Sequence, residues 1–257
     1  MGQTVHHKLI VRLAALAAVS FSLVLVLRHD DQVGLGMAQS MPAFQPQAPI
    51  IVAHNEPNSP LVISADRQLA KTEQAPEVVF NVTNVTNKTI TAFAIKLDVM
   101  SDSKVVSTIY LSNLALGATD LPPNGSRSEA VTYENLSNSQ HRVTLSLDYV
   151  QFSDGKRWGS DSGKSAERVA GQRAAVETLT TRFAGTIRVA NVNDLPNVLE
   201  SLTTIDPPPQ HSDEWSEGFR SAIRSVTNRL KRANQTGGLG QVNRELDRLS
   251  TNLKGGH

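Results

Sequence analysis

The sequence predicts a mainly β protein, an antiparallel β-sandwich followed by C-terminal helices. Three observations carry that expectation. Between Glu77 and Trp158 the apolar residues recur at every second position in several short runs, the period of a strand with one buried face. Turn residues separate those runs, as Asn87-Lys88, Asp102-Ser103, Pro123-Asn124-Gly125 and Asp154-Gly155. No helical pattern lies between them, so there is no room for the long crossovers that parallel strands need.

Taken in order, the chain opens with a membrane signal over residues 1–31. Lys8 and Arg12 precede an apolar run from Leu13 to Leu27, and Arg28, Asp30 and Asp31 follow. Positive charge before the run and net acid after it predict that the N-terminus stays inside and the rest is exported. The run is about 15 residues, short of the roughly 20 that span a bilayer, but it lengthens if Arg12 snorkels. An uncleaved anchor is the preferred reading. Cleavage near Gly36-Met37-Ala38 is the alternative.

Residues 32–60 read as a proline-rich linker, with Pro42, Pro46, Pro49, Pro57 and Pro60 favouring an extended spacer. The sandwich is expected over 61–160. In its clearest strand Thr91, Phe93, Ile95, Leu97 and Val99 alternate with Ala92, Ala94, Lys96 and Asp98. A second strand alternates Val143, Leu145, Leu147 and Tyr149 with Thr144, Ser146 and Asp148. The phase then shifts to Val150 and Phe152, which predicts a β-bulge.

Residues 161–257 read as a helical region. Ala166, Val169, Arg173, Val176, Leu179 and Phe183 fall at helical spacing, with Gly171 a weak point worth about 1 kcal/mol against Ala. Residues 184–211 show no clear period and end in Pro207-Pro208-Pro209. Ser212 or Asp213 then caps a helix carrying Trp215, Phe219, Ala222, Val226 and Leu230. Beyond Gly237-Gly238, the residues Leu239, Val242, Leu246, Leu249 and Leu253 form a short seam. That seam must pack on its own chain or join a second copy in a homodimer through 212–257.

Composition narrows the function classes. The formal net charge is +1, so no strong field draws in nucleic acid. Cysteine is absent, which removes disulfides and thiolate chemistry together. The seven histidines include no zinc-binding pair at helical spacing, and no metal or cofactor is expected. Asp154 and Asp161 lack the dense carboxylate spacing of a calcium loop.

The stretch Gly159-Ser160-Asp161-Ser162-Gly163-Lys164-Ser165 has the letters of a phosphate loop between a strand and a helix. Three residues rather than four separate its glycines, which aims the amides differently. Ser101-Asp102-Ser103-Lys104 and Ser153-Asp154-Gly155-Lys156 fit a Ser-x-x-Lys pattern but fall on turns. Asn81, Asn84 and Asn87 head three consecutive glycan-acceptor triplets. The basic residues Arg220, Arg224, Arg229, Lys231, Arg232, Arg244 and Arg248, diluted by Glu214, Glu217, Glu245 and Asp247, read as a solvated helical face.

The segment FNVTNVTNKTITAFAIKLDV, followed by LPPNGS and a further strand, resembles bacterial extracytoplasmic immunoglobulin-like or fibronectin-type-III-like sandwiches. VQFSDGKRWG, a helix and a terminal helical pair are similar to exported proteins of acidobacterial type that carry no known activity. The resemblance implies an immunoglobulin-like β-sandwich and supplies no catalytic residues. The paired cysteines of true immunoglobulin domains are missing, and Trp158 falls late in the chain.

The expected function is therefore non-enzymatic: an exported, membrane-tethered interaction or structural module of the bacterial cell envelope, facing the periplasm. It would bind a protein or glycan through its loops or a sheet edge. Lys156, Arg157 and Trp158 form the candidate contact surface. The alternatives are a hydrolase or nucleotide-using enzyme built on the 153–165 loop, and a homodimeric scaffold joined through the C-terminal helices.

Overall fold

The computed structural model describes residues 50–71, 76–101, 104–117, 119–132, 141–187 and 194–254. The leader, most of the linker and the Asp102-Ser103 turn lie outside the described residues. Among those described, no helix is long and apolar enough to cross a membrane.

Among the described residues, eight strands form two sheets. They are β1 (Ile50–His54), β2 (Leu61–Lys71), β3 (Pro76–Asn84), β4 (Ile90–Ser101), β5 (Lys104–Asn113), β6 (Ser126–Thr132), β7 (His141–Phe152) and β8 (Arg157–Trp158). One sheet has the order β1-β7-β4-β5, with β8 added to β7, and the other runs β2-β3-β6. The helices are α1 (Leu114–Gly117), α2 (Ser165–Ile187), α3 (Leu195–Ser201) and α4 (Asp213–Lys254). Strands and helices thus share the chain, and the architecture is mixed α and β rather than mainly β.

Two expectations are corrected at the first strand. Residues 50–54 were expected in the linker, but Ile50, Ile51 and Val52 pair with Arg142, Val143 and Thr144. Pro49 and Pro57 bracket this β-branched run without interrupting it, and β-branched residues suit a pleated surface. The pairing of β1 with β7 is parallel, so this sheet is mixed, whereas β2-β3-β6 is antiparallel throughout. The long connection from β1 to β7 supplies the crossover that the short turns could not.

The two sheets enclose one apolar core. Leu61, Ile63, Val78, Phe80 and Val82 from one meet Phe93, Ile95, Leu97, Val143, Leu145 and Val150 from the other. At the β5–β6 side the sheets are joined by polar groups. Tyr110 Oη donates to Glu129 Oε2 at 2.7 Å, Ser112 Oγ donates to Glu129 Oε1 at 3.3 Å, and Arg127 pairs with the same carboxylate. Burial and the Glu129 bond both push the Tyr110 phenol far above its ordinary value.

Asn84 fixes one end of this pair of sheets. Its Nδ2 donates to the carbonyls of Lys88, Leu121 and Pro122, while its Oδ1 accepts from the Thr86 amide and hydroxyl. The second of the three glycan-acceptor asparagines is therefore fully buried, its nitrogen committed to holding two turns together.

The expected bulge in β7 falls at Asp148. Ala94 pairs with Tyr149 and Ile95 with Leu147, so Asp148 is the extra residue. The outer face of β4 departs from the expected polar face. Lys96 and Asp98 are partly exposed and paired at 3.2 Å, but Ala92 and Ala94 are fully buried. They lie with Tyr149 beneath Ala166 and Val169 of α2. Small side chains at these two positions let the helix lie close against the sheet.

A second apolar core lies among the helices. Val176, Leu179 and Phe183 of α2 meet Leu195, Val198 and Leu199 of α3 and Phe219, Val226, Leu230, Val242 and Leu249 of α4. Ser212 caps α4 by accepting from the Trp215 amide at 3.2 Å. The α4 backbone leaves helical geometry at Gly237 and Gly238, the latter with φ of 59°, a conformation glycine adopts without penalty. The second arm folds back, because Arg229 contacts Glu245; along a straight helix these residues would be about 24 Å apart. The seam, expected to pack on its own chain or on a second copy, contributes Val242 and Leu249 to the helical core of its own chain, both fully buried.

Gly171, expected as a weak point of α2, is where α4 crosses it. A Cβ there would overlap the Trp215 carbonyl oxygen, and a Cβ on Gly218 would overlap the Arg168 carbonyl oxygen. The two backbones touch through reciprocal glycines. Gly171→Ala and Gly218→Ala should each lower stability by about 2 kcal/mol, since neither backbone can yield locally. Gly240→Ala meets open space and should leave stability unchanged or raise it by about 0.5 kcal/mol through helix propensity. Urea unfolding of the three variants checks this, and equal midpoints for all three would contradict it.

Candidate functional site

Lys156, Arg157 and Trp158 lie on and just after the turn that joins β7 to β8. Asp154 and Gly155 form the turn: the Gly155 amide donates to the Phe152 carbonyl, and Asp154 Oδ1 accepts from the Lys156 amide. Lys88, from the neighbouring turn, pairs with Asp154 at 2.6 Å and sits over the Phe152 ring. Lys156 and Arg157 are exposed. Trp158 is half-buried, pairs with Val150 and packs against the core between the sheets. The three residues are thus split between solvent and core, with Trp158 sealing the end of the apolar interior.

The stretch with phosphate-loop letters is organised around a carboxylate of its own chain. Asp148, pushed out by the bulge, accepts from Ser160 Oγ at 2.9 Å, from the Ser162 amide and hydroxyl at 3.0 and 2.7 Å, and from the Gly163 amide at 3.1 Å. Its carbonyl accepts the Asp161 amide. Asp161 in turn caps α2 by accepting from the Ser165 and Ala166 amides. The amides that would cradle a phosphate are occupied by Asp148 and Asp161. Asp154 and Asp161 are engaged separately, Asp154 with Lys88 and Asp161 with the first turn of α2.

Burial works to raise the Asp148 pKa, but the bonds from Ser162, Gly163 and Ser160 outweigh it and hold the carboxyl below its ordinary range. A depressed carboxylate stabilises the fold above its unfolded pKa of about 3.9, and that contribution fades as pH falls through the lower folded value.

A shallow cleft lies elsewhere in the fold. It has a volume of about 410 Å³ and is lined by residues 110–113 of β5, Leu116 and Gly117 of α1, Gln172 of α2, and Ser225, Arg229 and Arg248 of α4. Successive residues of a strand point to opposite faces, so a cleft that touches four in a row lies along the strand's edge. β5 is the terminal strand of its sheet, and among the described residues none pairs with its outward backbone. Its first half is bare as well, with Val105 56% and Val106 50% exposed.

The arginines are held in place from two sides. Arg229 donates to the Leu116 carbonyl and to Glu245; Arg248 donates to the Gly117 carbonyl at 3.2 Å and to both Glu245 oxygens. Burial raises the Glu245 pKa. Asn113 Nδ2 donates to Gln172 Oε1 at 2.9 Å, and Asn113 Oδ1 is buried without a partner among the described residues.

These arginines were expected on a solvated helical face. Their spacing in the sequence carries no sign of a cleft, because only the fold-back of α4 brings Arg248 and Glu245 beside Arg229. The exposed Val105-Val106 pair in a strand pattern was the one local signal for a free edge. The described histidines form no cluster: His54 ends β1, and His211 stacks on Trp215 with ring centroids 3.7 Å apart. Among the described residues no group of three His, Asp or Glu side chains is placed to hold a metal.

The chain matches no protein-family model and no curated protein. Among solved structures, Northeast Structural Genomics Consortium target SoR45 is similar at 9% identity over 38% of this chain and 75% of that one, with a TM-score of 0.23.

Asp148→Asn should cost about 2 kcal/mol at neutral pH, through loss of charge and of the acceptor facing Gly163. The gap between wild type and variant should be constant above about pH 5 and close as pH falls below about 4. Denaturant titrations across that range measure it; a gap that widens in acid would be incompatible with the bonding around Asp148.

Proposed function

We propose that this chain is a non-enzymatic interaction module that binds an extended segment of a partner protein by strand addition to β5. The observation that carries the reading is the free edge of β5, a ten-residue strand with two half-exposed valines at one end and a cleft at the other. An unpaired edge presents a row of backbone donors and acceptors, which folded proteins commonly cover, shorten or charge. Here Lys104 is the one charged residue of the strand. Strand addition takes its affinity from main-chain hydrogen bonds and its selectivity from pockets beside them.

The two sheets support an immunoglobulin-like sandwich. The order β2-β3-β6 opposite β1-β7-β4-β5 follows the A-B-E and G-F-C-C′ arrangement of such domains, with the parallel β1 in the place of the last strand. An enzyme built on the 153–165 loop has less support, since the polar groups there are bonded to one another.

The module is exported and tethered in this proposal, on the strength of the charge pattern around Leu13–Leu27. Alkaline phosphatase fused after His257 should be active in a bacterial host. An inactive fusion that is produced in full would remove the export reading.

Strand addition has a direct readout. With a degenerate octapeptide library, acetylated and amidated at its ends and supplied at millimolar concentration, amide hydrogen exchange should slow along Lys104–Asn113. Protection confined to 153–158 would move the contact surface to Lys156, Arg157 and Trp158, and no protection anywhere would sink the proposal.

A further inference from the structure

We infer that the cleft at the end of β5 receives the C-terminal carboxylate of the bound segment, which runs parallel to β5 and ends against Arg229 and Arg248. This rests on the strand-addition reading and adds the chemistry of the partner. Three features of the cleft lead to it.

The first is its position. Because residues 110–113 all line it, a segment paired with the outer half of β5 is led into the cleft rather than past it. The second is that the strand edge stops here. β5 ends at Asn113 and α1 begins at Leu114, and Leu116 and Gly117 join the lining of the cleft. A segment paired with β5 has no further strand edge to follow beyond Asn113, so the end of a polypeptide fits there better than its middle.

The third is charge. Two guanidinium groups share one carboxylate, Glu245, which leaves one positive charge at this end. The other carboxylate nearby, Glu129, is matched by Arg127. A guanidinium carries five N–H donors. Arg229 uses two and Arg248 three in the bonds to Leu116, Gly117 and Glu245, so both retain donors for a further oxygen. The Arg248 side chain is 43% exposed and reaches solvent from the cleft wall. An antiparallel segment would bring its amino-terminal side to the arginines, where a charged amine is repelled. A parallel one delivers a carboxylate, the group that arginine binds with charge-assisted and often paired hydrogen bonds.

The test uses the full chain, immobilised, and a degenerate hexapeptide library made in three forms: with free C-terminal carboxylates, with C-terminal amides, and with free carboxylates but alternate backbone nitrogens methylated. Retained peptide is measured by mass spectrometry. The free acids should be retained about tenfold better than the amides, the ratio expected when one charge-assisted hydrogen bond is lost. Methylation should abolish retention. Arg248→Gln, checked for an unchanged melting temperature, should bring acids and amides within about twofold of each other.

Equal retention of acids and amides, with methylated peptides lost, would overturn the carboxylate assignment and leave strand addition standing; acidic side chains recurring in the retained peptides would then mark an internal Asp or Glu as the anchor. A preference for acids that persists in Arg248→Gln would overturn the role of that arginine. Retention of no peptide, or of methylated peptides as well as the others, would overturn both this inference and strand addition.

Discussion

Two glycines that face each other across a helix crossing set the spacing on which the rest of the structure depends. Gly171 and Gly218 bring the backbones of α2 and α4 into contact, with no side chain between them. Everything on α4 takes its position from that contact, including the apolar stripe of Phe219, Val226 and Leu230 that fills the helical core. Ion pairs at the same crossing, Lys164 with Glu214 and Arg168 with Glu217, are exposed and contribute little by themselves. They restrict how the helices slide, while the glycines decide how close they come. A larger residue at either position would lift α4 off α2 and carry Arg229 and Arg248 away from the edge of β5.

The helix that α4 rests on is itself anchored to the sheet by a carboxylate. Asp148 stands out of β7 at a bulge and gathers the amides and hydroxyls of Ser160, Ser162 and Gly163, and Asp161 caps the first turn of α2. The arrangement is that of an anion site whose anion is supplied by the protein. This explains why the stretch has the composition of a phosphate-binding loop: small residues and glycines let backbone amides converge on negative charge, whether it belongs to a ligand or to the chain. Ala92 and Ala94, small and buried beneath Ala166 and Val169, complete the seat of the helix.

From these two attachments follows the geometry proposed for binding. The sheet ends at β5, the helices stand beside its C-terminal half, and the gap between them becomes an open cleft along a strand edge with two arginines in its lining. Val105 and Val106 at the other end of the strand are bare, and the core between the sheets does not need them. Lys156 and Arg157, at the turn leading into β8, are exposed. Trp158 packs on the sandwiched core, and the turn is tied down by Lys88.

The alternation of Phe93, Ile95, Leu97 and Val99 and the phase shift near Asp148 were legible in the sequence, because strand period and bulges are local and repeat with every second residue. The helical spacing of α2 and α4 and the break at Gly237-Gly238 were legible for the same reason. What the sequence by itself determined is a set of strands and helices with a cysteine-free apolar interior. Only the tertiary structure decided that Ile50–His54 joins the sheet in parallel, that Ala92 and Ala94 lie under a helix, that Gly171 is a contact rather than a weakness, and that Arg229, Glu245 and Arg248 meet at the end of β5. Each of these depends on residues far apart in the chain coming together. Pattern along a sequence records which face of an element is apolar, but not what comes to cover it or how near it stands.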